Sequence, residues 1–276
     1  MSIDLHSHSS HSDGELSPSD LIELALKNKA TMLSITDHDT VSAYEGLGKR
    51  SGLQVIPGVE FSSIWGNVNV HVVGLGIDPF DQDLLSACAD QSVRRLKRAQ
   101  IIAWRLFSSR VVPSVELAME GVLEIAGRRA IGRPHFAEYL VQIGACADTG
   151  SAFHSYLAAG KAGDVKDQWP DMDEVIAWIR QAGGTPVLAH PAKYKMTRSK
   201  LIRMITDFKK FGGESIEVCS GYQTNETTRS ISQLSERFDL SASCGSDFHS
   251  IDRPWSQLGK VPDLPKNCRP VWEKWV

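Results

Sequence analysis

Short β-branched runs in this chain end, one after another, in a histidine or an acid. The runs at 3–5, 32–35, 53–56, 68–73, 185–189, 214–219 and 240–243 read as strands. The first leads into His6 and His8, the second into Asp37, His38 and Asp39, and the third into Glu60. The fourth carries His71, the fifth meets His190, and the last opens onto Asp247 and His249. Helical patterns separate most of these runs. Ser17-Pro18-Ser19-Asp20 offers an N-cap, a proline at the first helical position and an acid near the positive helix end. Asp171 with Glu174 resembles a capping box, and Gly183-Gly184 closes that helix. Two more helices are expected at 201–211 and 227–238. Such alternation predicts an α/β fold with a mostly parallel sheet, whose C-terminal strand ends are where sites are built.

The alternation stops after Val73. From about 91 to 161 the pattern is nearly all helical, with helices expected at 91–107, 115–126, 134–143 and 151–158. We therefore divide the chain into a barrel-like core, 1–90 with 165–276, and a helical insertion, 91–164. The stretch 253–276, rich in Pro and Trp, is expected to close the core. A chain of 276 residues suits one large domain carrying an insertion. The net charge of −3 excludes a uniformly basic nucleic-acid binder, so any such contact is local. Five cysteines without a C-x-x-C pair read as free thiols in a reducing cytoplasm. No apolar run reaches the roughly 18 residues of a membrane span, and the first fifteen residues do not read as a secretion signal.

His6 and His8, two apart at a strand end, share one face and form a ready chelate. Convergence of the strand ends would bring them together with His38, His71, His190 and His249, and with Asp13, Glu60 and Asp247. Nine nitrogen and oxygen ligands are too many for one ion; they suit two or three, if a carboxylate bridges. A single buried histidine is usually a satisfied core residue, but six of nine histidines at strand ends is not a scattered pattern. No thiolate stands among them, which favours Mn²⁺, with Fe²⁺ or Zn²⁺ as alternatives, over a structural zinc. Asp37 is expected to orient a ligand histidine and Asp39 to cap the turn from Val41. His11 and His154 read as surface residues. His135, in Gly132-Arg133-Pro134-His135, stays open between a structural and a functional role.

This order of motifs resembles the PHP (polymerase and histidinol phosphatase) superfamily of metal-dependent phosphoesterases. His-x-His with a following Asp, Thr-Asp-His, Gly-x-Glu, a strand histidine, Ala-His-Pro and Ser-Asp-Phe-His all occur in sequence. The resemblance implies a distorted (β/α)₇ barrel with a trinuclear centre. It implies one metal on His6, His8, Glu60 and Asp247. A second shares Glu60 and takes His71 and His190; a third takes Asp13, His38 and His249. Among these, Glu60, Asp247 and His190 are the expected catalytic residues.

A narrower resemblance rests on the helical insertion, Gly132-Arg133-Pro134-His135-Phe136-Ala137, Gly160-Lys161 with Gln168-Trp169, and His190-Pro191-x-x-Tyr194. It points to the RNase AM subgroup, which acts on 3′,5′-nucleoside bisphosphates and on short 5′-phosphorylated RNA, trimming 5′ to 3′. Asp164-Val165-Lys166-Asp167 departs from that subgroup's Tyr-Val-Pro. Ala192-Lys193 stands where the subgroup has Gly-Arg, which keeps the charge and loses bidentate geometry.

The expected chemistry is attack on phosphorus by a metal-bridged hydroxide. Arg133, His135, Lys193 and Tyr194 are the expected substrate contacts, and no protein partner is implied. Arg94, Arg95, Lys97, Arg98 and Arg105 on the first insertion helix, and Lys193, Lys195, Arg198, Lys200 and Arg203, could be solvated faces or an RNA groove. Trp65, Tyr194 and Phe248 could stack on bases or belong to the core. The alternative function is a small-metabolite phosphatase, such as one for histidinol phosphate. A catalytically silent module would commonly lose ligands, and here all nine positions are filled. An amidohydrolase reading lacks a lysine placed to bridge metals.

Overall fold

In the computed structural model, which describes residues 2–48, 51–166 and 168–276, the chain divides into two compact units. One comprises 1–88 with 170–276; the other comprises 89–169. Asp167, in the stretch that departs from the subgroup pattern, lies outside the described residues.

In the first unit, β1 (Ser2–Asp4), β2 (Ala30–Leu33) and β3 (Gln54–Val55) form a parallel sheet. The second sheet orders β4 (Gly58–Trp65), β5 (Val68–Leu75), β6 (Thr185–Leu188), β7 (Ser215–Ser220) and β8 (Ser241–Gly245). The ladders β6–β7 and β7–β8 are parallel, whereas β4–β5 and β5–β6 are antiparallel. Backbone hydrogen bonds join the two sheets at both edges. Leu5 N–H donates to Cys244 O at 3.0 Å and Asp247 N–H to His6 O at 2.8 Å. On the other edge, Asp39 N–H donates to Glu60 O at 3.0 Å and Glu60 N–H to Asp37 O at 3.2 Å.

The hairpin β4–β5 corrects the sequence reading, which placed Glu60 just past the C-terminal end of the third strand, 53–56. Pro57 supplies no amide donor, and β3 has already ended at Val55. Gly58 then starts a new strand that pairs backwards onto β5 through a two-residue turn, Trp65 facing Val68. Gly66 takes φ +60° at the first turn position, a conformation that suits glycine. Glu60 therefore lies near the start of a strand, and His71 in the middle of one.

Helices α1 (Pro18–Lys27), α6 (Met172–Gln181), α7 (Arg198–Lys210) and α8 (Asn225–Arg237) belong to this unit. Ser17 caps α1 as expected, accepting from Asp20 N–H at 3.2 Å. Thr197 and Thr224 do the same for α7 and α8. Asp171 stands at the N-cap of α6 without a side-chain capping bond, so the expected capping box does not form. The core gathers Leu5, Leu33, Phe61, Val72, Ile179 and Phe208, all fully buried. Removing such surface from water, at about 25 cal/mol per Å², is what stabilises this unit.

The second unit is helical. It holds α3 (Val115–Ala126), α4 (Arg133–Gln142) and α5 (Thr149–Ala152), while α2 (Gln82–Ser108) crosses the 88/89 boundary. A separate core of Ile102, Leu106, Val122, Phe136, Leu140 and Leu157 holds it together. Arg95 and Arg98 on α2 are nearly buried. Arg95 donates to Ile131 O at 2.9 Å and Arg98 to Val165 O at 3.1 Å, and both guanidinium groups lie over the Trp169 ring. Arg105 donates to Asp164 O at 3.0 Å. These arginines satisfy loop carbonyls inside the unit, so the RNA-groove reading does not extend to them. No helix among the described residues is long and apolar enough to cross a membrane.

Candidate metal centre

Glu60 sits at the middle of the cluster. Its Oε1 lies 2.8 Å from His71 Nδ1 and 2.9 Å from His190 Nε2. Its Oε2 lies 3.3 Å from His6 Nε2, 3.2 Å from His8 Nε2 and 3.0 Å from His38 Nδ1. The two oxygens thus face two different sets of imidazoles. Asp247 Oδ1 lies 3.4 Å from His8 Nε2 and 3.6 Å from both His6 Nε2 and His249 Nδ1. Asp13 reaches His249 Nε2 at 3.4 Å and His8 Nδ1 and His38 Nε2 at 3.8 Å.

All nine expected ligands therefore converge, and they form four groups with donor atoms close enough to share an ion. These are His8, Asp13, His38 and His249; His6, His8 and Asp247; His6, Glu60 and His190; and His38, Glu60 and His71. The grouping differs in detail from the expected one. His8 also faces the Asp13 group, and the expected set of Glu60, His71 and His190 is divided between two groups by His6 and His38.

Backbone conformation aims two of these residues. His190 and Asp247 take positive φ, +29° and +54°, which side chains rarely adopt and which costs of order 1–3 kcal/mol. Each follows a short buried strand, β6 or β8, whose packing holds the chain in that shape.

The electrostatics are those of a cation site. Burial alone would raise the Glu60 pKa, yet His71, His6 and His38 hold it well below the usual carboxylate range. Asp247 is likewise held low against burial, by His6, His8 and Lys193. Burial opposes charge on His6, but Glu217, Glu60 and Asp247 raise its pKa well above the ordinary value. His8 is pushed up to about 10 against burial by Asp247, Glu60 and Asp13. His38 and His249 go the other way, lowered by burial and by neighbouring imidazoles. The rings are too crowded to carry a proton each.

A metal fits this donor set. His6 Nε2, both nitrogens of His8, His38 Nδ1 and His190 Nδ1 are buried without a hydrogen-bond partner among the described residues. Buried polar nitrogens left this way cost free energy unless something coordinates them. Divalent cations beside paired carboxylates would meet that need and offset the buried negative charge.

Sequence reasoning missed two supporting acids. Glu217, buried inside β7, lies with both oxygens 3.2 Å from His6 Nδ1 and accepts from His190 N–H at 2.6 Å. Asp4, fully buried, accepts from Ser246 N–H and Gly259 N–H at 2.8 Å. An acid inside an otherwise apolar strand was the available signal for Glu217.

Two assigned roles need correction. Among the described residues the Asp37 side chain bonds to no histidine; it accepts from Ser9 N–H at 2.8 Å, Ser9 Oγ at 2.6 Å and Ser12 Oγ, holding the loop that carries Asp13. Asp39 accepts from Ser62 N–H at 2.7 Å on β4, while Val41 occupies the cap of the turn at 42–44.

Among the expected substrate contacts, Lys193 Nζ pairs with Asp247 Oδ2 at the mouth of the cluster. The Tyr194 hydroxyl accepts from His71 N–H at 2.8 Å, and its ring lies 5.5 Å from that of His190. In the helical unit, Arg133 donates to Leu157 O at 3.3 Å. His135 there is buried, and its Nδ1 accepts from Gly132 N–H at 3.0 Å across the start of α4.

This chain belongs to the PHP family, whose domain matches residues 4–106. It is 37% identical to a 3′,5′-nucleoside bisphosphate phosphatase of Chromobacterium violaceum, over 99% of this chain and 95% of the relative. It is 39% identical to the 5′-3′ exoribonuclease Rnm of Salmonella typhimurium, over 99% and 93%. A solved structure from C. violaceum, called an amidohydrolase and holding sulfate without metal, superposes with a TM-score of 0.89 at 37% identity, covering 99% and 95%. A structure from Bifidobacterium adolescentis, described as a metal-dependent phosphoesterase, gives 0.80 at 29% identity, covering 96% and 93%.

Proposed function

We propose that this chain is a metal-dependent phosphoesterase that hydrolyses 3′,5′-nucleoside bisphosphates and trims the 5′ end of short 5′-phosphorylated RNA. The observation that carries this reading is the division of Glu60, one oxygen toward His71 and His190, the other toward His6, His8 and His38. A carboxylate so placed can be shared by two ions. The near-full-length likeness to a bisphosphate phosphatase and an exoribonuclease supports the substrate class. We read the two edge-joined sheets as a distorted (β/α)₇ barrel and the helical unit as its inserted domain. The cluster has room in its ligand count for two or three ions, with Mn²⁺ first among them. We assign the protein to the cytoplasm, in keeping with its five free thiols.

When bound, divalent metals supply Lewis acidity, which activates water and neutralises phosphate charge. The chain's own residues do the rest. Glu60 and Asp247, kept anionic, hold the centre's geometry. Lys193, paired with Asp247 at the mouth, offers a cation to an incoming phosphate oxygen. Arg133 and His135 are kept as proposed substrate contacts. Tyr194, kept neutral by burial, fixes the backbone of His71.

The test is phosphate release by the Mn²⁺-loaded protein from 3′-phosphoadenosine 5′-phosphate, a 5′-phosphorylated short RNA and histidinol phosphate. Turnover of the first two, lost in Glu60→Ala, is the expected result. Turnover of histidinol phosphate alone would overturn it.

A further inference from the structure

The aromatic residues weighed as stacking surfaces are taken up by the fold. Phe248 is buried, Trp65 Nε1 donates to Asp207 at 2.8 Å, and the Tyr194 hydroxyl is bonded to His71. Two other rings stand in solvent instead, Tyr222 at 81% exposure and Trp255 at 60%.

Both lie on segments that are hydrogen-bonded to the one carrying Asp247 and His249. Tyr222 follows β7, and its N–H donates to Trp255 O at 2.7 Å. Gly221, between β7 and Tyr222, donates to Gly245 O at 2.8 Å. Ser256, adjacent to Trp255 and buried, donates from Oγ to the carbonyls of Ser246 and Asp247 at 2.8 and 2.7 Å. The start of the same loop is tied as well. Ile251 N–H donates to Glu15 Oε2 at 3.0 Å, and Glu15 N–H donates to His249 O at 2.7 Å. The loop is thus strapped at both ends to the segment that carries Asp247 and His249. Its backbone is held while its large rings stay in water.

Leaving a Trp and a Tyr open forgoes the burial these side chains usually make. Here Tyr222 lies just past β7 and Trp255 in the loop that follows His249, with exposed Arg253 in that same loop. Exposed π faces on a loop that also carries a cation suit a heterocyclic base. In a nucleoside 3′,5′-bisphosphate that base sits on the same ribose as both phosphates. A phosphate held beside Asp247 and His249 therefore puts the base one ribose away, on the side of the segments bonded to them.

We propose that Trp255 and Tyr222 form a stacking platform for the substrate's nucleobase. This deepens the phosphoesterase reading and rests on it. Every base has a π face, so the platform favours a base over none, with little preference among bases.

The experiment compares kcat and KM on adenosine 3′,5′-bisphosphate and on the abasic ribose 3,5-bisphosphate. The proteins are the Mn²⁺-loaded wild type, Trp255→Ala, Tyr222→Ala and Trp255→Phe. In the alanine variants the preference for the nucleoside over the abasic compound should fall about tenfold, chiefly through KM, and Trp255→Phe should restore it. Equal losses on both compounds, or none, would overturn the platform. If the wild type turns over neither compound, the phosphoesterase reading fails on its own. Calorimetric binding of adenosine 5′-monophosphate then decides: about tenfold weakening in Trp255→Ala sustains the platform, and unchanged or absent binding overturns it.

Discussion

His6 Nδ1 lies 3.2 Å from both carboxylate oxygens of Glu217, and the same carboxylate accepts from the backbone N–H of His190. One acid thus fixes the ring of one candidate ligand and the chain carrying another. Such a contact sets the tautomer and presents Nε2 to a metal. Glu217→Gln should weaken metal affinity about 10–100-fold while the fold persists. Chelator competition measures this, and unchanged affinity would remove Glu217 from the centre.

Glu60 meets five imidazoles, two through Oε1 and three through Oε2. Glu60→Ala and Asp13→Ala should each lower turnover about a hundredfold or more, with near-native circular dichroism. Full activity in either variant would sink the site assignment.

Protons and metal compete for the same nitrogens. The His8 pKa, about 10, stands above the ordinary imidazole value near 6.5. Its stabilising contribution is therefore complete below about pH 6.5 and is lost as pH rises through about 10. Glu60 and Asp247, with depressed values, contribute above the ordinary carboxylate range and lose that contribution on acidification. Metal-stripped protein should show a falling Tm as pH climbs from neutrality toward 10. Metal uptake at about pH 8 should release protons, read as different calorimetric heats in two buffers of unlike ionisation enthalpy. Equal heats would contradict protonation of His8.

Arg98 donates to Val165 O and Gly163 O and lies over Trp169. Arg98→Ala should destabilise the helical unit by about 2 kcal/mol, measured by denaturant unfolding. The salt dependence of RNA turnover should keep its slope. A slope shallower by about one would mean that Arg98 meets a phosphate.

The convergence of these side chains was legible because their chemistry is scarce. Six of the nine histidines, with three acids, fall in or just after the strand runs in order, which left little freedom. The strand β4 was harder, since Pro57-Gly58 can end one strand or separate two, and only pairing with β5 decides. Glu217 hid inside an apolar run. The arginines of α2 were ambiguous for a physical reason: one helical face of guanidinium groups can meet solvent, phosphate or the carbonyls of a neighbouring loop. Sequence spacing does not say which, and loop carbonyls won at Arg95, Arg98 and Arg105. Asp37 and Asp39 were recognised as important, but their hydrogen bonds go to loop and strand amides that only the folded chain brings near.

Asp247 N–H donates to His6 O, so the first and last strands are stitched together where the ligands converge. Ribosomal synthesis delivers His6 first and Asp247 with His249 more than two hundred residues later. Until those last ligands emerge, a nascent chain has an incomplete centre. Assembly of the cluster is thereby tied to the folding of the whole first unit, since no single segment of it carries enough of these side chains.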